Sequence, residues 1–130
     1  MKDHQFLDSI ERYDDIVQVW STIKLKLRTP LAKIGATSLA STGQENKVVI
    51  FGGMNKKFVR EKHVYIFSSD TTSFTPIDDM QQYRSFNPGS GCHCVAGRYL
   101  VVIGGSQSTD GGEMFDLLSL TNTAHLKKNQ

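Results

Sequence analysis

The sequence predicts an all-β chain of short antiparallel strands, and three observations carry that prediction. Its apolar tracts are short and rich in β-branched or aromatic residues, as at Ile34 to Leu39, Val48 to Phe51, Val64 to Phe67 and Tyr99 to Ile103. Such tracts fit a pleated, half-buried surface. Turn-forming clusters separate them: Ser41-Thr42-Gly43-Gln44, Ser68-Ser69-Asp70-Thr71-Thr72 and Ala96-Gly97-Arg98. No apolar stripe of period 3.6 runs beyond two turns. The best helical candidate, Phe6 to Tyr13, coincides with a position that later units fill with strands.

Taken in order, strands are expected at residues 9–13 and 17–25. Four more are expected at 34–39, 47–51, 63–67 and 73–77, and a last set at 91–96, 99–103, 113–119 and 123–126. The chain of 130 residues reads as a single domain spanning 1–130. Fifteen Lys and Arg against 13 Asp and Glu leave a net charge of +2. That balance gives no charge-based case for nucleic acid or an anionic membrane surface. No apolar run approaches the roughly 18 residues that a membrane span requires. The start, Met1-Lys2-Asp3-His4-Gln5-Phe6, lacks the apolar centre of a signal peptide. The expectation is a soluble, cytoplasmic domain. Cys92 and Cys94 stand two apart in one expected strand. Their Cα atoms would lie about 6.5–7 Å apart, at the upper limit for a disulfide. Both are read as free thiols, which fits a reducing compartment.

The chain repeats itself. Lys47-Val48-Val49-Ile50-Phe51-Gly52-Gly53 matches Arg98-Tyr99-Leu100-Val101-Val102-Ile103-Gly104-Gly105, an offset of 52 residues between Gly52 and Gly104. Tyr13-Asp14, Phe67-Ser68 and Phe115-Asp116 recur at steps of 54 and 48 residues. Trp20 follows Tyr13 by seven residues and Phe74 follows Phe67 by seven, whereas the third unit has Asn122 at that place. The segment from Phe74 through Met80 to Arg84 reads F-x5-M-x3-R. A period near 50 residues with a strand-ending glycine pair, a Tyr-Asp and a later Trp resembles kelch repeats. The resemblance covers about residues 7–120 and extends to the kelch part of BTB–kelch adaptors.

The resemblance implies a partial β-propeller of four-stranded antiparallel blades. Residues 9–25 would form the outer strands of one blade, 34–77 a full blade, and 91–126 a second whose end is degenerate. That makes about two and a half blades, fewer than the four to eight of a closed propeller, so a fragment of a longer protein or an assembly of several chains is expected. Tyr13, Trp20, Phe67 and Phe74 would fill space between blades. The pairs Gly52-Gly53 and Gly104-Gly105 would allow a sharp turn, and the small residues Gly35, Ala36, Gly89 and Gly91 would suit a crowded inner strand.

Sites of chemistry are absent from this reading. Cys92-His93-Cys94 lacks the second ligand pair of a zinc site, and His4, His63 and His125 add no ligand spacing. No nucleophile elbow, zinc-protease motif, P-loop or dinucleotide fingerprint occurs. The pairs Asp14-Asp15 and Asp78-Asp79 read as turn caps. No catalytic, metal or cofactor residues are expected. The family resemblance places four loops on one face: Leu27 to Lys33, Met54 to Lys62, Met80 to Pro88 and Ser106 to Gly112. Lys56, Lys57, Phe58 and Arg60 on the second, with Tyr83, Arg84 and Phe86 on the third, are the candidate partner-binding residues, because aromatic residues and Arg anchor protein interfaces. Arg84 also carries a structural reading, since the family often has arginine there. The expected function is non-enzymatic protein–protein interaction or scaffolding, in a longer chain or a cytoskeletal or organellar assembly. Alternatives are the substrate-recognition part of a ubiquitin-ligase adaptor and, further off, a fragment of a propeller oxidase.

Overall fold

A computed structural model describes residues 6–86, 92–105 and 112–126, with the side chains of 41, 92, 94 and 123–126 outside the described set. Ten strands follow one another among the described residues: β1 (Ile10–Asp14), β2 (Val19–Ile23), β3 (Gly35–Ser38), β4 (Lys47–Phe51), β5 (Val64–Ser68), β6 (Ser73–Pro76), β7 (Cys92–Ala96), β8 (Tyr99–Ile103), β9 (Gly112–Asp116) and β10 (Thr121–Leu126). Every pairing is antiparallel, and each strand pairs with its neighbour in sequence. The result is a β1–β2 hairpin and two four-stranded sheets, β3-β4-β5-β6 and β7-β8-β9-β10. The chain is thus all-β, with strands where the tracts and turn signals put them. The third sheet strand ends at Asp116 rather than 119, because Asp116 already starts the next turn. Gly89 and Gly91 lie outside the described residues.

Strand alternation makes the core. Val49 and Phe51 of β4, Val64 and Ile66 of β5, Leu100 and Val102 of β8 and Phe115 of β9 are buried, and form one cluster with Leu39, Met80 and Leu117. Successive strand residues point to opposite faces, so a single face of each sheet supplies these side chains. The two sheets meet along β3 and β7. There Phe51, Phe86 and His93 pack edge to face, with ring centroids 4.9–6.0 Å apart. Burial in that apolar setting holds the His93 imidazole below its ordinary pKa.

The three outer hairpins share one geometry. Tyr13 faces Trp20, Phe67 faces Phe74 and Phe115 faces Asn122 across the respective strand pairs. Each turn carries one non-glycine residue in the left-handed region, Gln18 (φ 58°), Thr72 (φ 47°) and Leu120 (φ 61°). In the first and third, an aspartate closes the turn. Asp14 Oδ1 accepts the Ile16 and Val17 amides at 2.9 and 3.3 Å, and Asp116 Oδ1 accepts those of Leu118 and Ser119 at the same distances. Burial alone would raise the Asp116 carboxyl. The two amides and Arg98, whose NH2 donates to Oδ2 at 2.6 Å, outweigh it and hold the pKa below the usual carboxylate value.

The first hairpin differs in burial. Phe67 is buried, but Trp20 is 64% exposed and Tyr13 is exposed too, their rings 5.2 Å apart on the hairpin surface. The expected packing of Tyr13 and Trp20 between sheets is therefore not found among the described residues. The physical reason is the missing neighbour: β5 and β9 are flanked by β4 and β8, while β1 has only β2 beside it.

A candidate binding groove

Four loops were expected on one face, and the structure gathers three of them through a ladder of short backbone bridges. Leu7 pairs with Leu31, Ala32 with Met54, Met54 with Arg60, and Glu61 with Arg84. The turn after β4 makes this approach feasible. Gly52 and Gly53 take φ of 67° and 105°, a region that side chains disfavour. A Cβ on Gly52 would collide with the Arg84 carbonyl oxygen, and the Gly53 amide donates to that same oxygen at 2.8 Å. Gly104 and Gly105 repeat the conformation (φ 75° and 106°) after β8. The fourth loop lies outside the described residues over 106–111.

Asn55 shapes the 54–62 loop. Its Oδ1 accepts the Lys57 amide at 2.9 Å and the Val59 amide at 3.2 Å, its amide donates to the Val59 carbonyl at 2.9 Å, and its carbonyl accepts the Phe58 amide at 2.9 Å. Asn55 Nδ2 donates to Glu61 Oε2 at 2.8 Å. These bonds tie the loop into a tight turn with Phe58 held at φ 61°. A non-glycine residue there is strained, and such strain persists only where its surroundings enforce it. Phe58 consequently points out of the sheet system, 60% exposed, with the Phe6 ring 5.7 Å away at 80°. Val59 beside it is exposed as well.

Across from this turn stands the 80–86 loop. Phe58, Val59 and Arg60 on one side and Gln81, Gln82 and Tyr83 on the other line an open groove. Tyr83 is 54% exposed, and the Lys62 ammonium sits 5.1 Å from its ring centroid. Lys56 and Lys57 are exposed at the turn itself. Arg60 keeps a buried Nε with no hydrogen-bond acceptor among the described residues.

Of the expected anchors, Arg84 takes its structural reading, and Phe86 packs partly into the core. Arg84 is fully buried. Its Nε donates to Glu113 Oε2 at 3.0 Å, its NH2 lies 3.0 Å from the same oxygen, and its NH1 donates to the Gly104 carbonyl at 2.5 Å. Glu113, also fully buried, accepts in addition the amides of Gln81 and Gln82 and the Asn122 side chain. Phe86 packs against Phe51 and His93. Arg84 offers no surface to a partner, whereas Phe86 is half-buried against the core. Their place explains the groove: the Arg84–Glu113 pair clamps the 80–86 loop to the second sheet, while the Glu61–Arg84 bridge fixes it against the first. Val59, Gln81 and Gln82 were not singled out from sequence. The Asn at the head of a turn was the available signal for the loop's shape, since Asn side chains bond the backbone two residues on.

Beside the groove, His63 lies between two carboxylates, Nδ1 3.1 Å from Asp79 Oδ1 and Nε2 3.4 Å from Glu61 Oε1. Arg28 reaches the Tyr65 hydroxyl at 3.4 Å over a small apolar pocket formed by Leu27, Leu31, Ile50, Phe51 and Phe74. Among the described residues no three His, Cys, Asp or Glu side chains gather to hold a metal ion, and no helix is long and apolar enough to cross a membrane. The Cys92 and Cys94 thiols, the His125 ring and the whole of His4 lie outside the described set. No protein-family model matches the chain, and no curated protein matches it.

Proposed function

We propose that the chain is a non-enzymatic protein-binding module of kelch type, its two four-stranded sheets being blades of a partial β-propeller and its groove between the 54–62 and 80–86 loops the contact surface. The observation that carries this reading is the groove itself. Phe58, Val59 and Tyr83 stand exposed on a turn and loop that backbone bonds hold in place, next to Arg60. Exposed aromatic residues with an arginine among them are the composition of interface anchors. Rigidity matters because a surface already ordered loses little conformational entropy on binding. The blade reading draws support from the repeated hairpin geometry and the matched glycine pairs. It makes the module a scaffold or recognition part of a larger protein or assembly.

The test is affinity capture from the native source, followed by titration of the captured partner against wild type, Phe58→Ala and Arg60→Ala. Truncation of a true anchor costs at least about 2 kcal/mol, roughly 30-fold in affinity. Melting temperatures of the variants, run in parallel, must match wild type. Binding by both variants within about twofold of wild type, near 0.4 kcal/mol, would remove the groove from the interface and turn attention to the unpaired strand edges.

A further inference from the structure

We infer that the groove takes an acidic peptide segment that presents one apolar side chain between its carboxylates. The inference rests on the protein-binding reading above and specifies the partner's chemistry. Residues 54–62 hold four cations, Lys56, Lys57, Arg60 and Lys62, against one acid, Glu61, a net charge of +3 where the whole chain has +2. The 54–62 turn is one of two strongly basic stretches, the other being 24–33 with Lys24, Lys26, Arg28 and Lys33 and no acid, and it is the one whose residues line the groove. Glu61 is engaged internally, by Asn55 Nδ2 at 2.8 Å and beside His63 Nε2 at 3.4 Å. The six residues that line the groove include no acid. An anionic chain thus meets attraction from the turn and no opposing carboxylate within the groove.

The donors are arranged for carboxylates rather than for a point anion. Lys62 is held over the Tyr83 ring on one wall, 5.1 Å from its centroid, and the half-buried Arg60 lines the other wall. Arginine's planar set of donors suits a carboxylate. The exposed Phe58, Val59 and Tyr83 flank these cations. They offer apolar area that a small inorganic anion would leave in water, whereas a peptide side chain would cover it. Charge complementarity of this kind raises association rate and selects the partner. Lys56 and Lys57, at the exposed tip, act chiefly in that way.

The experiment selects a displayed library of random dodecapeptides on the immobilised full chain, and repeats the selection on Lys56→Glu/Lys57→Glu, Phe58→Ala and Arg60→Ala. The expected result is enrichment of peptides rich in Asp and Glu around one apolar residue. The best of them, synthesised and labelled, should bind the charge-reversed variant about tenfold or more weakly, and should weaken as salt is raised from about 0.05 to about 0.5 M. Its counterpart with Gln and Asn for the acids should lose binding similarly. Enrichment of neutral or basic peptides that Phe58→Ala abolishes overturns the acidic assignment and leaves the protein-binding reading standing. Absence of any enrichment that Phe58→Ala or Arg60→Ala abolishes overturns both. A labelled single-stranded oligonucleotide that binds more tightly than the best peptide, through stacking on Phe58 and Tyr83, overturns the choice of a peptide. Thermal melts of the variants separate loss of binding from loss of fold.

Discussion

Arg84 and Glu113 are the residues on which the two sheets depend most. Both are fully buried, and each satisfies several partners: Arg84 the Gly104 carbonyl, Glu113 two backbone amides and Asn122. Removal of one member strands the other charge in the interior, a loss of about 3–5 kcal/mol for a buried pair. Arg84→Met should therefore lower the urea midpoint by an amount in that range. The double variant Arg84→Met/Glu113→Met should cost clearly less than the sum of the two single changes, since no unpaired charge remains. Equal additive losses would mean that the two side chains act independently, against the geometry.

The hairpin is the element that repeats, and its burial changes from copy to copy. At β5–β6 the Phe67 and Phe74 rings lie 5.5 Å apart, with Tyr65 also against Phe74. At β1–β2 the Tyr13 and Trp20 rings meet at 5.2 Å in solvent. At β9–β10 the aromatic partner is replaced by Asn122, whose amide reaches Glu113 Oε1 at 2.8 Å. Trp20→Ala should thus cost only what a solvent-facing aromatic pair contributes, about 0.5–1.5 kcal/mol. Phe74→Ala, at a half-buried site, should cost about 2–3 kcal/mol, below the 3–5 kcal/mol of a fully buried Phe. Chemical denaturation checks both values. Trp20 is the sole tryptophan, so its emission should lie near that of a hydrated indole. A strongly blue-shifted spectrum in a monomeric sample would contradict the exposed placement.

At the scale of the whole molecule, two sheets share a core while the β1–β2 hairpin stands beside them, the outer edge of β1 having no strand partner among the described residues. Ile16, Val17, Val19 and Trp20 are exposed on that hairpin. An open edge next to exposed apolar side chains is a template for pairing with another chain. The chain by itself should therefore associate as its concentration rises, which sedimentation velocity would register. Val17→Lys with Val19→Lys should reduce the association, as charged residues do at natural sheet edges, and leave the melting temperature of the dilute protein nearly unchanged. A wild-type sample that stays monomeric at high concentration would show that the edge is not adhesive.

The strands and their order are written in local sequence. Tracts such as Val48 to Phe51 and Tyr99 to Ile103 leave little choice but a pleated strand, and the clusters between them are turn formers, so the information is local. The loop residues Phe58, Arg60 and Tyr83 were legible for the same reason, as aromatic and cationic residues in stretches that cannot be core strands. Which side of a boundary each residue occupies depends instead on tertiary contacts. Arg84 and Tyr83 are sequence neighbours, both candidate anchors, though only Arg84 also carried a structural reading. Arg84 is drawn inside because Glu113, 29 residues away, waits there with a buried carboxylate, and Tyr83 is left outside. Trp20 and Phe74 hold equivalent positions in the repeat. They differ in exposure because burial depends on the strand beside the hairpin, β4 for Phe74 and, among the described residues, none for Trp20. Burial and pairing are relations between distant segments, and no local pattern of residue types encodes them.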